Sequence, residues 1–191
     1  QSWTVRNLGS RASRKASPSR LKASTTAKIA AVTAASSHHM PCHSRRRADD
    51  IMTAVRIAAE FGADLIIEHC TEGYLVAGHL AAKGIPAVIG PVITNRAKVE
   101  MQGVTLETAG VLAGAGVRFA VMTDHPAVPV QYLAASAALA VKGGLPVEHA
   151  LRAITVDAAQ IIGLGGRLGS IEPGKDADIV VLDRHPLDIS S

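Results

Sequence analysis

Three short apolar runs constrain the fold more than any other feature of this chain: residues 63–68 (ADLIIE), 85–89 (IPAVI) and 117–122 (VRFAVM), each set between segments of helical spacing. Continuous apolar strands alternating with helices predict a parallel sheet covered on both faces, because a strand that alternated with polar residues would leave one face wet. The first helix opens at Asp49 and Asp50, carries Ile51, Met52, Val55, Ile57, Ala58 and Phe61 on a helical period, and stops at Gly62. Further helices are expected over 72–83, closing at Gly84, and over 106–115, 130–141 and 147–162. The tail differs: 167–174 is rich in turn residues, and 177–182 (ADIVVL) reads as a strand with no helix after it, the start of a second, β-type subdomain.

A chain of 191 residues that is 48% hydrophobic can bury a substantial core, so wholesale disorder is excluded. A complete eightfold βα barrel typically needs about 250 residues, so a chain of this length with barrel signals is expected to hold only part of one. Two cysteines, Cys42 and Cys70, are too few for a disulfide framework. No uninterrupted apolar run reaches the roughly 18 residues of a membrane span. The expectation is therefore a soluble chain with no membrane partner, and cytoplasm is the simplest location.

Charge is divided along the chain. Residues 1–47 hold ten Lys or Arg and no Asp or Glu, leaving ten basic and sixteen acidic residues from Ala48 onward. The net charge of +4 thus belongs to the leader, and the remainder is acidic. The Ser, Arg, Ala, Lys and Thr texture of the leader lacks the large apolar residues needed to fold by itself. A nucleic-acid arm is disfavoured, since no aromatic residue lies between Arg6 and Arg47 to stack on bases. A transit peptide shares the Arg- and Ser-rich composition.

In parallel βα architectures function collects where the strands end, because the loops converge there. Two of the three expected strand ends carry chemistry: Glu68 and His69 on the first, Asp124 and His125 on the third. Imidazole nitrogen and carboxylate oxygen both ligate zinc-like ions. The competing readings stay open at this point: His69 as a core histidine satisfied by a backbone carbonyl, and Asp124 as an N-cap or Asx-turn residue before Pro126. His79, His149 and His185 read as solvated side chains, and Glu68, Asp157 and Lys175 as structural. Asn95, Arg96 and Lys98 share a loop able to meet an anionic group, although a solvated loop is the simpler reading.

The segments RADDIMTAVRIAAEFG, IIEHCTEGYL, GPVITNRAKVE, VMTDHPAVPVQYL and ALRAITVDAAQIIGLGGRLGSIEPGKDADIVVLD together resemble, in order, the C-terminal half of a metal-dependent amidohydrolase of the imidazolonepropionase-like group. The resemblance runs from Arg47 to about Leu187. It implies an α/β fold, the C-terminal half of a (β/α)8 TIM-like barrel with the start of a small β-sandwich subdomain and an irregular N-terminal leader. The corresponding boundaries are a leader at 1–46, a partial barrel at 47–165 and a sandwich return strand at 166–191.

By the same resemblance the activity is hydrolysis of a carbon–nitrogen bond in a small amide or cyclic amide, with a divalent metal, most often zinc, as cofactor. His69 takes the place of a metal ligand. Asp124 takes the place of a second ligand that also accepts the proton of a metal-activated water, and His125 is a candidate substrate contact. Departures accompany the match. No His-x-His occurs, and where relatives carry a histidine pair just before Arg-Ala-Asp-Asp this chain reads Cys42, His43, Ser44, Arg45, Arg46, Arg47. His43 is the nearest substitute, but the adjoining arginines repel a cation. The abrupt change of composition at Arg47 is what GC-rich DNA translated in a wrong frame gives, so residues 1–46 are expected to be an out-of-frame or degenerate stretch joined to an authentic half-barrel. The alternative to an enzyme is a non-catalytic fragment whose open sheet edges favour self-association, without nucleic acid as a partner.

Overall fold

A computed structural model of the chain describes the backbone of residues 39–45 and all of residues 46–188. The leader over 1–38 lies outside the described residues. Four parallel strands form one sheet in the order β1 (His39–Arg45), β2 (Asp64–His69), β3 (Ala87–Ile89) and β4 (Phe119–Val121). Helices α1 (Ala48–Phe61), α2 (Gly73–Ala82) and α3 (Thr108–Gly114) connect successive strands. Beyond β4 come α4 (Leu133–Lys142), α5 (Val147–Ala153) and α6 (Val156–Ile161).

The three apolar runs become β2, β3 and β4. Their registers align His69 with Ile89 and Ile89 with Val121, so the carboxyl ends of the strands finish in one row. Consecutive strands joined by helices place those ends on the same side of the sheet, which gathers the following loops into one region. On α1, Ile51, Ala54, Val55 and Ala58 are buried at the spacing of one helical face. They join Leu65, Ile67, Leu80, Ala87, Leu112 and Phe119 in a single core.

Three differences from the sequence reading stand out. Strand β1 pairs in parallel with β2 from His39 opposite Asp64 to Arg45 opposite His69, with a register shift between Cys42 and Arg45, so the leader is not irregular throughout. Its HMPCHSR sequence includes a proline and polar residues and gives no continuous apolar run; pairing with β2 supplies what local propensity does not. The helix expected over 147–162 is two helices, broken at Ile154 and Thr155. Thr155 adopts φ −131°, ψ −98°, and its hydroxyl donates to the Leu151 carbonyl at 2.6 Å, competing with the helical ladder.

The strand expected over 177–182 has no pairing partner among the described residues, and Val180 and Val181 are 79% and 92% exposed. An extended segment becomes a strand only when another backbone takes up its hydrogen-bonding groups. Among the described residues no helix is long and apolar enough to cross a membrane.

Candidate active site

The loop after β1 and the loop after β2 are stitched together by backbone and side-chain hydrogen bonds. The Glu72 amide donates to the Arg46 carbonyl at 2.8 Å, and the Ala48 amide donates to Glu72 Oε2 at 2.9 Å. Glu72 therefore caps α1 from a different loop, where the local N-cap residue, Arg47, makes no side-chain cap.

Three non-glycine residues among those described have positive φ: His69 at 65°, Cys70 at 46° and Asp124 at 54°. His69 is the last residue of β2 and Cys70 the next, and Asp124 lies three residues beyond β4. A left-handed conformation costs a residue with a Cβ about 1–2 kcal/mol, so such positions persist where the surrounding structure enforces them, and they concentrate at functional sites.

His69 is half-buried and its ring is fixed at both nitrogens. Nδ1 lies 2.9 Å from the Gly90 carbonyl oxygen, which can only accept, so Nδ1 carries the proton. Nε2 lies 3.4 Å from an Arg46 guanidinium nitrogen, which can only donate, so Nε2 presents its lone pair. Both contacts select the same neutral tautomer. The carbonyl partner expected of a core histidine is thus present, and it is also the partner that orients a histidine whose other nitrogen serves as a ligand.

Cys70 is fully buried, and burial pushes its thiol up from an ordinary 9.0 to about 12. Its sulfur explains a glycine: a Cβ on Gly73 would stand 2.3 Å from Cys70 Sγ. At pH 8 the folded thiol is expected to alkylate on the order of a thousandfold more slowly than the unfolded one, three decades of thiolate fraction. Iodoacetamide labelling with peptide mapping, with and without urea, checks this and separates Cys70 from Cys42. Because the folded value is the higher one, the unfolded state releases its proton first. The associated stability is present below pH 9.0 and is lost as pH rises toward about 12.

A cleft of about 20 Å³ lies at the ends of β2 and β3, lined by His69, Cys70, Thr71, Gly90, Thr105 and Thr108 among others. It has room for a single water. Asp124 is outside this lining. It lies three residues beyond β4, two strands away from His69, and both Asp124 and His125 are exposed. The backbone carbonyl of Asp124, not its carboxylate, closes the turn by accepting from the Ala127 amide at 2.8 Å. Its carboxylate makes no hydrogen bond or ion pair with the described residues, which leaves it neither an N-cap nor an Asx-turn residue there.

The residues thus meet the requirements of a metal only in part. The His69 tautomer suits a ligand, but among the described residues no three His, Cys, Asp or Glu side chains converge to hold an ion, and a guanidinium faces the available lone pair. The side chain of His43, in β1, is outside the described set. Elsewhere the structural readings hold: Asp157 pairs with Arg152 at 2.6 Å, and Lys175 bonds Ser170 at 2.6 Å. Arg96 donates to the Val104 carbonyl at 2.7 Å and Asn95 accepts from the Ala97 amide at 3.2 Å, so both serve to shape their own loop. Sequence reasoning did not single out Arg46 and Glu72 as site-building residues. The run of arginines before Ala48 and the acid three residues after His69 were the signals available.

The amidohydrolase family matches residues 23–191. That match begins within the basic leader, so the likeness extends upstream of the boundary expected at Arg47. An imidazolonepropionase from Paracidovorax citrulli is 33% identical over 139 residues, covering 68% of this chain and 31% of its own length. An N-substituted formamide deformylase from Arthrobacter pascens is 36% identical over 88 residues, 40% of this chain and 16% of its own length. Among solved structures, an amidohydrolase from Thermotoga maritima superposes with a TM-score of 0.73 at 50% identity, covering 75% of this chain and 38% of that one. The chain accordingly spans well under half of each relative, and with the family match over residues 23–191 and the parallel βα sheet it belongs to the amidohydrolase family.

Proposed function

We propose that this chain is the carboxyl-side half of a (β/α)8 amidohydrolase barrel whose activity is hydrolysis of a carbon–nitrogen bond in a small amide or cyclic amide. On this reading residues 47–165 belong to the barrel together with β1, and residues 166–191 lead into a sandwich subdomain. His69 serves as a ligand nitrogen to a divalent metal, zinc first among them. Asp124 serves as the proton acceptor, its carboxylate exposed above the end of β4, and His125 beside it contacts substrate. The observation that carries the reading is the His69 ring, whose Nδ1–H is tied to the Gly90 carbonyl so that Nε2 is left as an acceptor, facing the Arg46 guanidinium. The names of the two curated relatives, an imidazolonepropionase and a formamide deformylase, fit a carbon–nitrogen substrate.

A second reading is favoured by the lack of three converging ligands among the described residues: the chain by itself is non-catalytic, with β1 and β4 as the outer strands of an open sheet. Zinc analysis after reconstitution and turnover of N-formyl amines and cyclic amides separate the two. About one equivalent of zinc, with turnover reduced on the order of a hundredfold or more in Asp124→Asn, is the result expected of a competent enzyme. Zinc below about a tenth of an equivalent and no turnover would leave the second reading in place for this polypeptide.

A further inference from the structure

We infer that Arg46 competes with metal at this site: its guanidinium covers the His69 Nε2 lone pair, so a divalent ion must displace it to reach that nitrogen. The inference rests on the reading of His69 as a ligand and names the group that an ion must displace there.

The geometry is set by the fold. Arg46 directly follows β1, and in the parallel register Arg45 is the partner of His69, so the side chain that leaves the end of β1 starts beside the ring it touches. The Arg46 backbone is held by the bond from the Glu72 amide, and Glu72 in turn caps α1, which sets where the Arg46 side chain begins. The ring is equally fixed, since its Nδ1–H is tied to Gly90. A guanidinium has donors only, so what it presents to the Nε2 lone pair is an N–H.

Any cation approaching Nε2 must displace the contact and also meets like charge at close range. The contact, at 3.4 Å, is long for a hydrogen bond, so shielding by charge and position contributes along with the bond itself.

The test uses the full chain, wild type and Arg46→Met, with Arg46→Lys as a charge-retaining companion. Diethyl pyrocarbonate acylates an unprotonated imidazole nitrogen, and peptide mapping reports each histidine separately. His69 is expected to react about tenfold faster in Arg46→Met than in wild type, the factor associated with losing one charged donor, while exposed His79 and His149 keep their rates. Arg46→Lys is expected to fall between. Equal His69 rates in wild type and Arg46→Met would overturn the inference.

A measurement on the wild type alone guards against a variant that folds poorly. Long-range proton–nitrogen correlation of the His69 ring should show a protonated Nδ1 and a hydrogen-bonded acceptor at Nε2, and the opposite tautomer overturns the inference as well. Zinc uptake then distinguishes the two proposals. If His69 becomes reactive in Arg46→Met yet gains no zinc protection, the occlusion stands and the ligand role of His69 fails. If wild type binds zinc and protects His69 at the same zinc concentration as Arg46→Met, the ligand role stands and the occlusion fails.

Discussion

Gly90→Ala is expected to lower the unfolding free energy by about 3–5 kcal/mol, through a backbone clash together with conformational strain. Gly90 has φ +131°, a region L side chains rarely adopt, and a Cβ there would stand 2.2 Å from the Met122 carbonyl oxygen. Main chain cannot rotate aside as a flexible side chain would, so β3 and the segment after β4 must separate. Their separation strains the bond from the Met122 amide to the Ile89 carbonyl, 2.9 Å long, at the very row where the strands end.

The same displacement moves the Gly90 carbonyl that receives the His69 proton, so stability and site orientation fall together. For a chain of this size the change corresponds to a drop in melting temperature of roughly 10 °C. Urea unfolding followed by circular dichroism measures the loss, and a change under about 1 kcal/mol would show that the two segments are not in the close approach described. In a variant that remains folded at low temperature, the His69 ring nitrogens should lose their single-tautomer signature.

The parts of this molecule that were legible in the sequence are those decided locally. The runs that became β2, β3 and β4 are continuous and apolar because both faces of the sheet are covered, and that signal survives without knowledge of the neighbours. The end of α1 at Gly62 and the acidic residues in its first turn are local for the same reason. Placing His69 and Asp124 at strand ends needed only the topology.

What could not be read depends on residues distant in sequence. Nothing near His39–Arg45 announces a strand; its partner is β2, whose first residue is 25 positions after His39. The cap on α1 comes from Glu72, 24 residues away from Ala48, and the two partners of the His69 ring come from 21 residues after it and 23 before. Apolar character alone also made 177–182 resemble a strand, although a strand is a property of a pair. The arginine run before Ala48 was legible as an obstacle to a cation, but its contact with His69 required the parallel register of β1 and β2.

Leu112→Ala is expected to cost about 2–5 kcal/mol, the transfer of a buried leucine plus the cavity left behind. Leu112 is fully buried in α3, and its Cδ2 lies 3.8 Å from where a Cβ on Gly73 would stand, on the same small space that Cys70 Sγ approaches to 2.3 Å. It therefore supports the turn that holds His69 and Cys70 in their left-handed conformations, and a cavity there should loosen that turn before it loosens the rest of the sheet. The expected signature is twofold: a lower unfolding midpoint, and faster Cys70 alkylation at denaturant concentrations where the core remains folded. Val181→Ala, at a residue 92% exposed, serves as the counterpart and should change stability by no more than about 0.5 kcal/mol. If Cys70 labelling accelerates only in step with global unfolding, Leu112 supports the core as a whole and the strained turn is held by its own hydrogen bonds, from the Cys70 amide to Glu68 and from the Gly73 amide to Cys70.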